Sequence, residues 1–231
     1  MGYTRNEIVE KCRSEFCNIN TFYQADIINY RGKCSDTDEP FTEVIADFIC
    51  EHIQEYISGI PRITRNSPYK TAGHNGEYNP ASNRVEEITA MRMFRFCADG
   101  GQYSNIGRII DYQTPLKSVK TDEAGKIDLL AYDGEILRLL ELKKTDSKES
   151  MLRCVLEGFT YLQTVDKGKL LRDYELPADT IVKACPFVFF GGEQWREMQE
   201  NRPQLRRLMQ LLDSKPYYIT ERDGIFEIKE E

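Results

Sequence analysis

The sequence predicts an α/β fold with a mixed β-sheet, and three consecutive segments carry that prediction. Apolar residues predominate in 126–132 and in 135–143, and these two segments are separated only by an Asp-Gly dipeptide. Asp-Gly between two apolar runs is typical of a β-hairpin, because the tight turn needs residues that tolerate positive φ. Apolar periodicity then predicts a helix over 147–165 and a further strand over 180–190. Strand, helix and strand in this order form a βαβ unit, so these two strands are expected to be parallel.

The segments before this unit are predicted to be mainly helical. Most of 4–58 has helical periodicity, which is clearest at 42–57. Glycine and proline then mark 59–81 as a loop, and its length is typical of a functional or mobile connection. A helix at 82–97 and a strand at 106–112 precede the hairpin. The core is therefore predicted to follow the order α-β-β-β-α-β.

The predicted organisation has three parts. Residues 1–81 form a helical extension and a long loop, 82–190 form the core, and 191–231 pack on it as a C-terminal helix and a short hairpin. A bend is expected in that helix at Pro203, because proline interrupts helical hydrogen bonding.

Composition narrows the class of protein. The 231 residues carry a net charge of −7, which argues against a generic nucleic-acid coat protein but leaves room for an enzyme with a local basic groove. Seven scattered cysteines without a CxxC, and only two histidines, argue against a zinc site. The start of the chain lacks a secretory signal and no apolar run reaches membrane-spanning length, so a cytoplasmic location without membrane contact is expected.

The predicted hairpin brings three ionisable side chains together. A two-residue turn pairs Asp128 with Leu139, and this register places Asp128, Glu141 and Lys143 on one face. Two neighbouring carboxylates in an apolar sheet repel each other unless a cation or a proton lies between them. Carboxylates spaced in this way can bind one hard divalent cation. The alternative is a salt bridge at the strand ends, between Glu141 and Lys143 or between Asp128 and Lys126.

Asp128 followed after twelve residues by Glu141-Leu142-Lys143 resembles the PD-(D/E)XK nuclease superfamily, whose restriction-endonuclease-like core has the same α-β-β-β-α-β order. Ile127 stands where the family motif has proline. The resemblance implies that Asp128, Glu141 and the Leu142 carbonyl hold Mg²⁺ or Mn²⁺. It also implies that Lys143 orients or deprotonates the attacking water. A lysine beside a metal ion in an apolar sheet is expected to have a lowered pKa, as a general base requires.

Further site residues are predicted around this motif. The family often adds a glutamate from the first core helix, and Glu87 is preferred over Glu86 because it flanks the buried stripe of that helix. The alternative for Glu87 is a solvated carboxylate favoured by the helix dipole. Lys144, Lys148 and Arg153 are candidates for phosphate contact, with a solvated helix face as the alternative. Glu157 and Tyr161, one turn apart on the second core helix, are expected to flank the site, and His74 could contact substrate unless it is an exposed loop histidine.

The sequence therefore predicts a divalent-metal-dependent nuclease that hydrolyses phosphodiester bonds in nucleic acid. DNA is favoured over RNA as substrate and partner, and the family implies a 5′-phosphate product. A homodimer is left open. The main alternative is a binding or scaffold protein that keeps the nuclease fold without activity, and a second is an unrelated α/β interaction domain.

Overall fold

The structure, a computed structural model, describes residues 2–116 and 125–230. These residues form an α/β fold with a six-stranded open sheet and eight α-helices. The strands lie side by side in chain order: β1 (Arg108–Pro115), β2 (Lys126–Tyr132), β3 (Ile136–Lys143), β4 (Ile181–Phe189), β5 (Tyr217–Arg222) and β6 (Ile225–Glu230). The β3–β4 and β4–β5 pairs are parallel and the other pairs are antiparallel, which confirms the predicted mixed sheet.

Most helices lie within the segments predicted to be helical, but the agreement is incomplete. The helix Lys167–Asp173 was not predicted, 30–40 within the predicted helical segment 4–58 is not helical, and two predicted helices are broken. The helices are α1 (Arg5–Glu15), α2 (Phe41–Glu51), α3 (Ile53–Gly59), α4 (Val85–Ala98), α5 (Met151–Thr164), α6 (Lys167–Asp173), α7 (Glu193–Gln199) and α8 (Pro203–Leu211). The predicted helix at 42–57 is divided at His52, whose φ of −109° leaves the helical region. The expected bend near Pro203 is a complete break, because this proline begins a new helix at a position where its missing N–H costs nothing.

The hairpin between β2 and β3 forms, but the predicted register is wrong. Leu139 pairs with Leu130 rather than with Asp128, so the strands are displaced by two residues. The Asp133 carboxylate accepts hydrogen bonds from the amides of Glu135 at 3.0 Å and Ile136 at 2.8 Å, and this widens the connection beyond two residues. An even displacement keeps every side chain on its own face of the sheet. Continued by one more pair, this register would bring Asp128 level with Glu141, but the ladder ends at the Leu129–Leu140 pair.

Helices cover both faces of the sheet. One face packs against α5, α8 and the N-terminal helices in a large apolar cluster that includes residues from Ile8 to Tyr218. The other face packs mainly against α4, in a second cluster that includes Leu129, Leu140 and Phe187. The N-terminal segment therefore shares a core with the sheet, and the C-terminal hairpin extends the sheet through β4 and β5. No helix within 2–116 and 125–230 is long and apolar enough to cross a membrane.

Candidate functional site

The candidate site lies where the strands β2 and β3 separate. The last backbone pair of this ladder joins Leu129 and Leu140. Beyond it, the amide of Leu142 donates to the Asp128 carboxylate at 2.9 Å, and the Gln113 side-chain amide donates to the same carboxylate at 2.8 Å. The Asp128 carboxylate therefore accepts the hydrogen bond that a backbone carbonyl of β2 would otherwise accept from β3. It is held by one donor from β1 and one from β3.

Lys143 is the centre of a buried ionic cluster. Its side chain points inward from the end of β3, and the residue is only 7% exposed. Its ammonium Nζ lies 2.8 Å from Glu141, 2.6 Å from Glu149 and 3.1 Å from Glu157. Three carboxylates around one ammonium can satisfy all three of its N–H donors.

Helix α5 positions the outer side of this cluster. Ser150 caps the helix by accepting from the amide of Arg153 at 3.0 Å, so that Glu157 lies two turns inside it. The Tyr161 hydroxyl donates to Glu157 at 2.9 Å, and the Arg153 Nε lies 3.4 Å from it. Gly158 faces the Cβ of Glu141 across the interface, which allows the helix to lie close to β3. Arg153, predicted to contact phosphate, therefore lies against a carboxylate of the cluster.

The cluster holds more negative than positive charge. Five carboxylates, those of Glu86, Asp128, Glu141, Glu149 and Glu157, act on one another around two cations, Lys143 and Arg153. Burial is the main cause that raises the pKa of Asp128 to about 7, and Glu86 and Glu157 contribute to the same shift. Burial, Asp128 and Glu157 also raise the pKa of Glu141 well above its usual value. The site therefore favours uptake of a positive charge, either a proton or a metal ion.

Lys143 has the opposite shift from the one expected. Burial alone would lower its pKa, but Glu141 and Glu157 outweigh this effect and hold the pKa well above its usual value. The expectation of a lowered pKa concerned a lysine beside a metal ion, whereas the surrounding carboxylates alone raise the pKa. The ammonium remains charged at neutral pH, which suits electrostatic stabilisation better than proton abstraction.

The first turn of α4 contributes one glutamate to the site. The Glu86 carboxylate accepts from the amide of Lys144 at 3.0 Å, directly after Lys143. Glu87 instead forms contacts of 3.1 and 3.2 Å with the Arg84 guanidinium. Of the two glutamates, Glu86 is the one in contact with the end of β3.

The other predicted residues lie in different surroundings. Lys144 is half-buried and its Nζ lies 3.4 Å from Asp146. Lys148 is exposed, and its carbonyl accepts from Arg31 at 2.7 Å. His74 is not an exposed loop histidine: its Nδ1 lies 2.5 Å from the buried Asp111 carboxylate, and its ring stacks on Tyr112 at 4.1 Å. It binds the loop at 59–81 to β1 instead.

A divalent metal ion at this site would meet oxygen donors. Within the described part of the chain, no three His, Cys, Asp or Glu side chains are grouped closely enough to hold a metal ion. The available donors, the carboxylates of Asp128 and Glu141 and the Leu142 carbonyl, are all oxygens, as Mg²⁺ and Mn²⁺ prefer. The surplus of carboxylate over cationic side chains also matches a bound cation. The residues therefore fit Mg²⁺ or Mn²⁺ in their chemistry.

Two residues of the site were missed at the level of sequence. Gln113 follows the predicted end of its strand, whereas β1 continues to Pro115. Glu149 was assigned no role, although it lies four residues before Arg153 and eight before Glu157, a spacing that places all three on one side of a helix start.

Comparison of the chain with models of protein families, with curated proteins and with solved structures found no match in any of the three.

Proposed function

We propose that this protein is a divalent-metal-dependent nuclease that hydrolyses phosphodiester bonds in nucleic acid, with DNA favoured over RNA. The observation that carries the proposal is the arrangement at the fork between β2 and β3. Buried Glu141 and Lys143 are in contact there at 2.8 Å, and the half-buried Asp128 accepts a hydrogen bond from the amide of Leu142, which lies between them in the chain. Buried acids and lysines are rare unless they are paired or functional. Here the pairing leaves an excess of carboxylate, which a purely structural salt bridge does not need.

The fold supports this proposal. From α4 onward, the elements that build the site are α4, β1, β2, β3, α5 and β4. This order is that of the restriction-endonuclease-like core, which we propose for residues 82–190. In the PD-(D/E)XK superfamily that the sequence resembles, the acidic residues and the lysine lie on the second and third core strands, as Asp128, Glu141 and Lys143 do here.

Asp128, Glu141 and the Leu142 carbonyl would hold Mg²⁺ or Mn²⁺, which supplies Lewis-acid polarisation of the phosphate and makes a water more acidic. The chain itself prepares this site. Gln113 and the Leu142 amide fix the Asp128 carboxylate by hydrogen bonds. Because both donors come from the sheet, the carboxylate is oriented before any ligand arrives.

The Lys143 ammonium is the group that can stabilise negative charge developing on the phosphate. Glu149 and Glu157 bind it from the α5 side, and Tyr161 fixes Glu157. A charge held in place before the reaction contributes to catalysis because it needs no reorganisation in the transition state. Lys144 and Lys148 follow in the chain and are the proposed phosphate contacts outside the cluster.

The test is cleavage of supercoiled plasmid, single-stranded DNA and RNA in Mg²⁺ or Mn²⁺, together with melting of the protein in the same solutions. The metal ion is expected to raise the melting temperature and to allow cleavage, because a ligand that binds only the native state stabilises it. Asp128→Asn should lose both responses. Asp133→Asn, which changes a carboxylate at the other end of the hairpin, should keep both.

An equal metal response in the two variants would contradict the assignment of Asp128. If the wild-type chain cleaves none of the three substrates with either metal ion, the proposal fails. A nuclease-fold binding or scaffold protein would then be the better description.

A further inference from the structure

A second feature lies on the far half of α4, outside the acidic cluster. A cavity of about 400 Å³ opens between this helix, the tip of the β5–β6 hairpin and the loop before α4. Its lining consists of aromatic, arginine and small apolar residues and contains no carboxylate: Tyr78, Arg92, Arg95, Phe96, Tyr103, Gly224, Ile225 and Phe226. Arg92 is paired with Glu221 just outside this lining, so the uncompensated positive charge of the cavity comes from Arg95.

Two of the aromatic rings of this cavity are exposed, and one of them, Phe96, packs against a buried ring. Phe96 is 46% exposed, yet its ring contacts Gly101 and lies 5.0 Å from the ring of buried Tyr103. Tyr78 is 38% exposed on the opposite loop. Exposed aromatic rings grouped at one cavity usually mark a binding surface. Rings held in place in this way lose little entropy when a flat ligand stacks on them.

The two arginines differ in what they can bind. Arg92 is anchored by Glu221 at 2.7 Å and by the Gly224 carbonyl at 3.0 Å, and its guanidinium lies 4.6 Å from the centre of the Phe226 ring. Arg95 is exposed and has no ion-pair partner among the described residues. Arg92 therefore shapes the cavity, whereas Arg95 leaves a guanidinium free for an anionic ligand such as a phosphate.

We infer that this cavity binds an unpaired nucleotide, with the base stacked on Phe96 and Tyr78 and a phosphate at Arg95. Aromatic platforms beside cationic side chains are how proteins bind single-stranded nucleic acid without reading its sequence. A duplex offers no free base face to these rings. The inference rests on the proposed nuclease function, which it deepens by naming single-stranded nucleic acid as the bound form.

The position of the cavity relative to the acidic cluster fits one continuous ligand. Glu86 begins α4 beside β3, and residues 92–96 follow on the same helix. At 1.5 Å per residue they lie about 9 to 15 Å further along the helix axis. A strand of a few nucleotides covers this separation, so one strand can contact both places.

The experiment measures the anisotropy of a fluorescein-labelled oligothymidylate of about 20 nucleotides, with the wild-type chain in EDTA. A duplex of equal length and an abasic strand with the same phosphates are the competing ligands. The oligothymidylate is expected to bind about tenfold more tightly than either, because stacking of each base contributes measurably. Phe96→Ala and Arg95→Gln should each weaken its binding about tenfold. Phe96→Trp should bind as the wild type does, because it keeps an aromatic ring at this position.

Matched controls remove equivalent groups elsewhere. Phe190→Ala removes an exposed ring that contacts Trp195, and Arg13→Gln removes an exposed arginine of α1. Both should bind as the wild type does. Equal binding of the abasic strand, or unchanged binding by Phe96→Ala and Arg95→Gln, would overturn the inference. If those two variants bind and cleave as the wild type does, the inference fails while the nuclease proposal stands. If the chain binds single strands through stacking but cleaves nothing, the inference stands while the nuclease proposal fails.

Discussion

The two ends of β3 both bury a basic residue, but only one end is balanced in charge. At the start of the strand, Arg138 lies 2.6 Å from Asp133 and donates to the Tyr217 hydroxyl at 2.9 Å. One cation meets one anion there. At the other end, Lys143 meets Glu141, Glu149 and Glu157. The first cluster completes the hairpin, whereas in the second three carboxylates surround one ammonium.

The acids of the two clusters have pKa shifts of opposite direction, although burial raises the pKa of both. Burial alone would raise the pKa of Asp133, but the amides of Ile136 and Glu135 and the Arg138 guanidinium lower it below its usual value. Burial raises the pKa of Asp128 to about 7, because the partners of Asp128 do not offset the cost of burial. A strongly raised pKa of a carboxylate beside a charged cluster is more typical of a functional site than of a structural ion pair.

Conservative substitution of the two basic residues should show the largest difference between the two ends of β3. Lys143→Arg keeps the charge but replaces a compact ammonium with a planar fork, so cleavage should fall about 10²- to 10⁴-fold. Arg138→Lys should leave the cleavage rate within about twofold, because it lies at the other end of the strand. Single-turnover nicking of plasmid in Mn²⁺ measures both, with circular dichroism as the control for folding. Similar losses in both variants would mean that Lys143 acts only through stability.

Removal of the balanced cation should mainly affect stability. Arg138→Met leaves Tyr217 and the partly exposed Asp133 without their partner, and loss of hydrogen bonds to a charged group costs about 2 kcal/mol. The expected result in urea unfolding is a lower midpoint with an unchanged slope. The metal-induced rise in melting temperature should remain, since no proposed metal ligand changes. A stability loss below about 1 kcal/mol would show that this pair contributes little.

The pH dependence of stability should reveal the unbalanced end. The native-state pKa of Asp128, about 7, lies above the unfolded value of about 4, so the native state binds more protons in this interval. The free energy of unfolding should therefore fall as pH rises from about 4 to about 7, and Asp128→Asn should remove that decrease. In EDTA at about pH 8 the variant should be more stable than wild type by about 2 kcal/mol. Equal stability of the two proteins at about pH 4 and at about pH 8 would contradict this account of the site.

Asp133→Asn should give the smallest effect, with the opposite sign. Because the native-state pKa of Asp133 is lowered, its contribution to stability is present above the unfolded pKa and is lost as pH falls through the native value. The variant should be less stable at neutral pH by under about 1 kcal/mol, since this partly exposed pair is screened by solvent. Its deficit should disappear on acidification below about pH 4. A larger deficit at low pH than at neutral pH would reverse the predicted sign.

Much of the fold could be predicted from sequence, since apolar periodicity determines where the elements lie. Turn geometry could not, as the two Asp-Gly dipeptides show. Asp223-Gly224 forms the tight turn, with φ of 51° and 78°, and pairs Arg222 with Ile225. At the other dipeptide only Gly134 has a positive φ, because the Asp133 side chain binds the amides that follow it. A side-chain hydrogen bond therefore determines which residues face each other.

The site could be predicted in part for a related reason. Strand periodicity places Asp128, Glu141 and Lys143 on one side, and an error of two residues preserves that side. Gln113 lies beyond the predicted end of its strand, and Glu149 lies just before the start of α5. Spacing can place Glu149 beside Arg153 and Glu157, but it does not reveal the contact with Lys143. The choice between Glu86 and Glu87 depends on the rotation of α4 about its axis, and tertiary packing determines that rotation. The pKa of Lys143 depends on neighbours far apart in sequence.

The attachment of His74 to β1 has a consequence for the behaviour of the chain in concentrated solution. β1 is an outer strand of the sheet, and an uncovered outer strand is a template for pairing with other chains. The opposite outer strand, β6, carries exposed charged residues. β1 is covered instead by the loop at 59–81. The His74 imidazole contacts Asp111 and stacks on Tyr112, and the Gly76 amide donates to the Tyr112 hydroxyl. Proteolytic cleavage within that loop would therefore make the protein prone to aggregation through strand pairing while its core stays intact.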